Sequence, residues 1–308
     1  MAIVNTEVPI TSQSCNRMIL ELVQTYPGLR TELLTRTVFQ RPIRTLVIGT
    51  GARKVFYSAS HHANEWITSL VLLKFAEEFA RAVVENGTIF DADANALAQA
   101  VTIYIVPMVN PDGVDLVTGA IPKGSAQYAL AKEIAREYPS IPFPDGWKAN
   151  LLGVDLNLNY PAGWEQAMMI KFQQGYIAPA PRDYVGKAPL NQVETRAIAG
   201  YTQALDPDLI LAYHSQGEEI YWRFLDYEVD GAEKLGEELA QVSGYTLSTT
   251  PYASGFAGYK DWFIQEYRRP GYTIEVGKGE NPLPLAQFPK IYEDNLGILV
   301  TAARGSSL

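Results

Sequence analysis

Continuous apolar runs of strand length alternate along this chain with longer segments of helical period, which predicts an α/β fold: a largely parallel sheet covered on both faces. Two observations carry the prediction. Residues 45–49, 55–59, 102–106, 209–213 and 271–274 are short and apolar, as strands buried on both faces require. The chain has 308 residues, 47% of them hydrophobic, enough to close a large core as one domain.

Residues 12–26 carry Met18, Ile19, Leu22 and Val23 at helical spacing and stop before Pro27-Gly28. The strands at 45–49 and 55–59 follow, and Glu65 opens a long helix to about Val84. Residues 102–106 form a strand ending at Pro107. The Pro- and Gly-rich passage 119–145 reads as an insertion at the rim of a groove, with a helix over 126–137, and 179–189 as a second insertion. Asn191 and Glu194 make an N-capping pattern for the next helix. Strands at 209–213 and 220–222 lead to a helix from about Gly231 that ends near Gly244, and residues 288–303 close the chain as a helix. There is no internal repeat or low-complexity segment.

Acids exceed bases, 34 against 25, giving a net charge of -9 with no lysine or arginine cluster, which argues against a nucleic-acid backbone as partner. The single cysteine, Cys15, excludes an intramolecular disulfide and leaves the redox compartment open. Residues 1–14 lack the basic opening and apolar stretch of a secretory signal. Nothing approaches the roughly 18 apolar residues of a membrane span, so no membrane partner is expected. Oligomeric state is not legible.

The chemistry concentrates in a few residues. His62 and Glu65 lie three apart between a strand-like and a helix-like run and can reach one metal ion. His214 ends the run 209–213 and Glu275 ends the run 271–274. Catalytic zinc commonly takes three ligands from His and Glu and keeps a position open for water. His62, Glu65 and His214 fill that number, and Glu275 is the candidate base for the activated water. Spacing alone does not separate this reading from a polar helix surface. His61 should face the opposite side from His62 and pack locally. Glu218 and Glu219 read as the polar side of a turn, as does Asn110-Pro111-Asp112-Gly113. Trp147, Trp164, Tyr176 and Tyr184 could wall a groove or fill the core.

Five blocks occur in order: His62-Ala63-Asn64-Glu65-Trp66, Asn110-Pro111-Asp112-Gly113, Gly153-Val154-Asp155-Leu156-Asn157-Leu158-Asn159, Tyr213-His214-Ser215-Gln216 and Thr273-Ile274-Glu275. In this order they resemble the zinc carboxypeptidases of the funnelin, M14 type. The runs Trp147-Lys148-Ala149-Asn150, Asn159-Tyr160-Pro161-Ala162-Gly163-Trp164, Pro181-Arg182-Asp183-Tyr184 and Phe256-Ala257-Gly258-Tyr259-Lys260-Asp261-Trp262 narrow the resemblance. They are similar to the bacterial γ-D-glutamyl-meso-diaminopimelate peptidases, which act on peptidoglycan stem peptides.

The resemblance implies a three-layer α/β/α fold with a mixed, mostly parallel, twisted sheet of about eight strands. It implies one zinc ion per chain on His62, Glu65 and His214, with Glu275 as base and Asp155 orienting His62. Lys148 matches the family's arginine beside the scissile carbonyl and can stabilise an oxyanion as a point charge. Tyr252 matches the mobile tyrosine that covers substrate. The Asn-Arg pair that reads a terminal carboxylate is here Asn157-Leu158, and Asn64 stands where carboxypeptidases often have arginine. Leucine cannot make the charge-assisted contact, so ordinary C-terminal trimming should be poor. Lys260 and Asp261 are candidates for reading the amino-carboxylate head of the diamino acid, with a solvated loop as the bland alternative.

These residues imply a zinc metallopeptidase cutting the γ-D-glutamyl bond to meso-diaminopimelate or lysine. The expected partner is a peptidoglycan-derived peptide. A broad-specificity metallocarboxypeptidase, an acylase-type amidohydrolase and an inactive muropeptide-binding protein are the alternatives. The expected organisation is a single catalytic domain over 1–308, with a helix and lead-in over 1–42 and no wall-binding module. Its expected location is cytoplasmic, with an extracellular or spore-associated setting as alternative.

Overall fold

The computed structural model describes residues 2–305. Helix α1 (Ser12–Thr25) starts at a capping box, in which Thr11 and Ser14 satisfy each other's backbone N–H groups, and buries Met18, Ile19 and Leu22. Besides a separate two-stranded ribbon that pairs Thr88–Ile89 with Ala92–Asp93, the strands are β1 (Leu29–Arg36), β2 (Pro42–Gly49), β3 (Arg53–Ala59), β4 (Val101–Val106), β5 (Leu209–His214), β6 (Glu219–Tyr221), β7 (Thr246–Ser248) and β8 (Gly271–Glu275). They form one sheet in the spatial order β1-β2-β4-β3-β5-β8-β6-β7. The four central strands β4, β3, β5 and β8 run parallel, while β1, β2 and β6 join by antiparallel pairing. β7 pairs parallel to β6 at the far edge.

The remaining helices are α2 (Ile67–Glu85), α3 (Ala94–Ala100), α4 (Pro111–Val117), α5 (Ala126–Arg136), α6 (Trp164–Gln173), α7 (Val193–Leu205), α8 (Ala232–Ser243), α9 (Tyr259–Tyr267) and α10 (Phe288–Arg304). The period-two geometry of strands divides the buried residues into two layers. Tyr57, Leu211 and Tyr213 pack with Leu70, Phe75, Leu235 and Ile298 from α2, α8 and α10. Phe56, Ile210 and Ala212 pack with Ile198, Trp262 and Phe263 from α7 and α9. The expected three-layer fold with a mixed sheet of eight strands is therefore present. Among the described residues, no helix is long and apolar enough to cross a membrane.

Several expectations need correction. The 1–42 lead-in contains β1, an edge strand whose sequence, Leu-Arg-Thr-Glu-Leu-Leu-Thr-Arg, is too polar to read as a buried run. The three-residue edge strand β7 was equally invisible. Glu65 does not open α2: it closes a 3₁₀ turn, Ala63–Glu65, and the helix begins at Ile67. Asn110-Pro111-Asp112-Gly113 is a helix start, with the Asn110 side chain accepting from Gly113 N and Pro111 in the first turn. Asn191 does not cap α7, whose N-cap is Gln192 without a side-chain bond. Its Oδ1 instead accepts from Asn159 and Gln192.

Candidate metal centre and cleft

The parallel register brings the ends of β3, β5 and β8 side by side: Ala59 pairs with Tyr213, and His214 pairs with Glu275. Glu275 also pairs with Glu219 across β6. In sheets of this kind, the crevice beyond the carboxyl ends of the strands is where ligands bind. His62 sits three residues beyond β3, and the turn that follows carries Glu65 back over the same end. That turn is tightly seated, because a Cβ at Gly113 of α4 would fall 2.8 Å from the Ala63 Cβ.

His62, Glu65 and His214 are buried, and each presents one ligand atom within 4.8 Å of the others. His62 Nδ1 lies 2.9 Å from Glu65 Oε1, His214 Nδ1 2.9 Å from Glu65 Oε2, and the two Nδ1 atoms 3.2 Å apart. Ligands 2.0–2.1 Å from a tetrahedral zinc are spaced about 3.3 Å apart, so this donor set fits such an ion in chemistry and in spacing. Ser215 N also donates to Glu65 Oε2, at 3.2 Å. Asp155 Oδ1 lies 3.1 Å from His62 Nε2. An ionised Asp155 can only accept, so it holds the proton on Nε2 and turns the bare Nδ1 toward the cluster.

The electrostatics are strongly coupled. Burial opposes charge on His62, but Glu65 and Asp155 outweigh it and raise the imidazole to about 9. A metal must displace that proton. Burial alone would raise Asp155 and Glu65. The His62 charge overrides it in both, helped by Lys148, and holds them well below the usual carboxylate range. Burial first, and then the Glu65 charge, push Glu275 up to about 8, while Lys148 and His62 pull it down. A carboxylate whose proton affinity lies near neutrality can both take and return a proton. Lys148 Nζ lies 3.1 Å from Glu65 Oε1.

His62, Lys148, Asp155 and Glu275 open on a cleft of about 220 Å³. Asn157, Leu158, Lys260 and Asp261 line it. Lys260 and Asp261 are both buried and paired at 2.5 Å, with Lys260 Nζ also donating to the Arg223 carbonyl, so the solvated-loop reading is wrong. Asn157 Oδ1 accepts from Tyr259 N. Tyr252 is not brought to the cluster: it is 66% exposed, packs edge-on against Phe256, and hydrogen-bonds Gln166. Asn64 is buried and donates to the Asp145 carbonyl. Trp147 is wholly buried, and Trp164 and Tyr184 nearly so, packing as core.

His61 packs as expected, its Nε2 3.1 Å from the Tyr160 hydroxyl and its ring stacked between those of His214 and Tyr259. Glu218 pairs with Lys278, whereas Glu219 belongs to β6 and accepts from the cleft residue Tyr221. The second insertion, 179–189, contributes Arg182 and Asp183 to the cleft. The first contributes nothing to the lining. Sequence reasoning assigned no role to Lys171, Arg182, Asp183 or Tyr221. The run Pro181-Arg182-Asp183-Tyr184 was the one available signal for two of them.

A buried His-Glu-His cluster at the carboxyl end of a mixed eight-stranded sheet, with the Glu275 carboxylate beside it, is the arrangement of a metal-dependent hydrolase. The zinc carboxypeptidase model of peptidase family M14 matches residues 15–297, and the chain belongs to that family of zinc metallopeptidases. It is 42% identical over 282 residues to γ-D-glutamyl-L-diamino acid endopeptidase 1 of Lysinibacillus sphaericus, covering 92% of this chain and 69% of the relative. An uncharacterised Bacillus subtilis protein is 38% identical over 283 residues, covering 91% of this chain and 73% of that one. Among solved structures, bovine thrombin-activatable fibrinolysis inhibitor superposes with a TM-score of 0.73 at 16% identity, over 97% of each chain.

Proposed function

We propose that the protein is a zinc metallopeptidase that hydrolyses the γ-D-glutamyl bond to meso-diaminopimelate or lysine in bacterial stem peptides. The observation that carries this reading is a cleft that keeps a complete ligand and base set yet has Leu158 where a carboxypeptidase places its carboxylate-binding arginine. The named activity of the Lysinibacillus sphaericus relative supports it. A broad-specificity carboxypeptidase is disfavoured because Leu158 cannot grip a terminal carboxylate. An inactive muropeptide-binding protein is disfavoured because nothing in the ligand and base set is missing.

Zinc, when bound by His62, Glu65 and His214, supplies Lewis acidity toward water and the scissile carbonyl. Glu275 takes the proton of the attacking water and returns it to the leaving amine. The Lys148 ammonium faces the charge that develops on the carbonyl oxygen. Asp155 keeps His62 in the tautomer that leaves Nδ1 bare. Lys260 and Asp261 offer a cation and an acid to the amino-carboxylate head, and Asn157 a polar contact beside them. Tyr252 would have to leave Phe256 to cover the substrate.

The test is mass-resolved digestion of L-Ala-γ-D-Glu-meso-diaminopimelate by zinc-loaded protein, with Glu275→Gln as control. Wild-type protein should release free diaminopimelate. The variant should lose about 10²- to 10⁴-fold in rate at unchanged zinc content. Release of C-terminal residues from ordinary peptides, with the γ-linked peptide intact, would refute the assignment.

A further inference from the structure

Lys171, Arg182 and Asp183 form one wall of the cleft and have no part in the ligand and base set. Asp183 serves two cations: Lys171 Nζ at 2.6 Å on Oδ1 and Arg182 Nε at 2.6 Å on Oδ2. One carboxylate against two full positive charges leaves the wall with an excess cation. Lys171 is buried with its ammonium on Asp183. The Arg182 side chain is 41% exposed and engages the protein through Nε alone, so neither Nη has a hydrogen-bond partner among the described residues. Two such nitrogens side by side match the two oxygens of a carboxylate.

This fork is registered to the ligand cluster. Asp183 holds a left-handed backbone conformation, φ 67, and its N–H donates to Asp155 Oδ2 at 3.1 Å. The other oxygen of Asp155 faces His62. Two hydrogen bonds therefore connect the guanidinium's anchor to the ligand cluster, the kind of support that fixes a recognition group in place. Lys148 N donates to the carbonyl of Pro181, the residue before Arg182, at 2.8 Å, and Ala149 N to the same carbonyl at 2.9 Å. Arg182 thus stands on the Lys148 side, where the carbonyl oxygen of the scissile bond is assigned.

A γ-linked glutamyl residue forms the scissile amide with its side-chain carboxyl, so its own α-carboxylate stays free on the acyl side. Amidating that carboxylate to isoglutamine removes the charge and leaves the scissile bond as it was. We propose that Arg182, anchored by Asp183 and backed by Lys171, is the receptor for this free α-carboxylate and the determinant of preference for glutamate over isoglutamine at that position. The inference rests on the bond assignment proposed above.

Three tripeptides test it in wild-type, Arg182→Ala and Arg182→Lys proteins. One carries γ-D-glutamate, one has its α-carboxylate amidated as D-isoglutamine, and one keeps the glutamate but amidates the C-terminal diamino acid. Wild-type kcat/KM should favour D-glutamate over isoglutamine by roughly 10- to 100-fold. Arg182→Ala should bring that ratio near one, and Arg182→Lys should restore part of it because the charge remains while the fork is lost. An equal loss on both peptides would overturn the proposal. A loss that persists on isoglutamine but vanishes on the C-terminal amide would place the contact on the far carboxylate and overturn it too. Equal wild-type cleavage of D-glutamyl and isoglutamyl peptides sinks this inference alone. Cleavage of none of the three sinks the bond assignment and this inference with it.

Discussion

His62, Glu65 and His214 sit on or just beyond the ends of central parallel strands, buried and packed on the sheet, whereas Arg182, Lys260 and Tyr252 hang from loops or a short helix. The first group is positioned by strand register and backbone hydrogen bonds, among them Val276 N to His214 O and Ala63 N to Lys148 O. The second depends on local ion pairs, Arg182 on Asp183 and Lys260 on Asp261. Tyr252 has not even these. Under the proposed function, chemistry that tolerates little displacement is built on the rigid part of the fold, and recognition is left to segments that can vary.

That contrast can be broken most forcefully at Lys148, which reaches Glu65 of the rigid group from a loop. Lys148→Ala should lower kcat by roughly 10²- to 10³-fold with zinc content retained, and Lys148→Arg should recover much of it. A loss of zinc in step with the rate would instead make Lys148 a structural partner of Glu65. Next comes Asp155→Asn, which should weaken zinc binding by roughly 10- to 100-fold in competition with a chromophoric chelator. Unchanged affinity would deny Asp155 its orienting role.

On the recognition side the expected effect is smaller. Lys260→Ala should shift the ratio of rates on diaminopimelate and lysine tripeptides by about tenfold while leaving metal affinity alone. An unchanged ratio would remove Lys260 from the specificity argument.

The smallest effect concerns the floor beneath the Lys148 loop, where Asn150 Nδ2 donates to Gln192 and lies 3.4 Å from Glu194 Oε1. Burial pushes the Glu194 carboxyl up from 4.5 to about 7. The folded state then binds its proton more tightly than the unfolded chain, so stability falls as pH rises from 4.5 to 7. Above that window the penalty is on the order of 3 kcal/mol. Glu194→Gln should therefore raise Tm by a few degrees relative to wild type at pH 8, and by less at pH 5. An equal gain at both values would show that the fold does not raise the Glu194 pKa.

The strands at 45–49, 55–59, 102–106, 209–213 and 271–274 were legible because a strand buried on both faces must be apolar throughout. The same rule hid β1, where half the residues face solvent, and β7, too short to carry a pattern. His62, Glu65 and His214 could be picked out as one cluster because metal chemistry restricts residue type, strand ends restrict position, and the five ordered blocks chose this reading over a polar surface. Nothing in the linear order says that Asp183 would be shared by Lys171 and Arg182, or that Asp155 would join His62 to Asp183 N. Nor does it tell that Trp147 is core while its neighbour Lys148 reaches Glu65. The sequence by itself determined the layered α/β class and the residues able to perform the chemistry, since both follow from local pattern and side-chain type. Only the tertiary structure decided which charges face one another across the cleft, because that depends on where loops distant in sequence settle against the ends of the sheet.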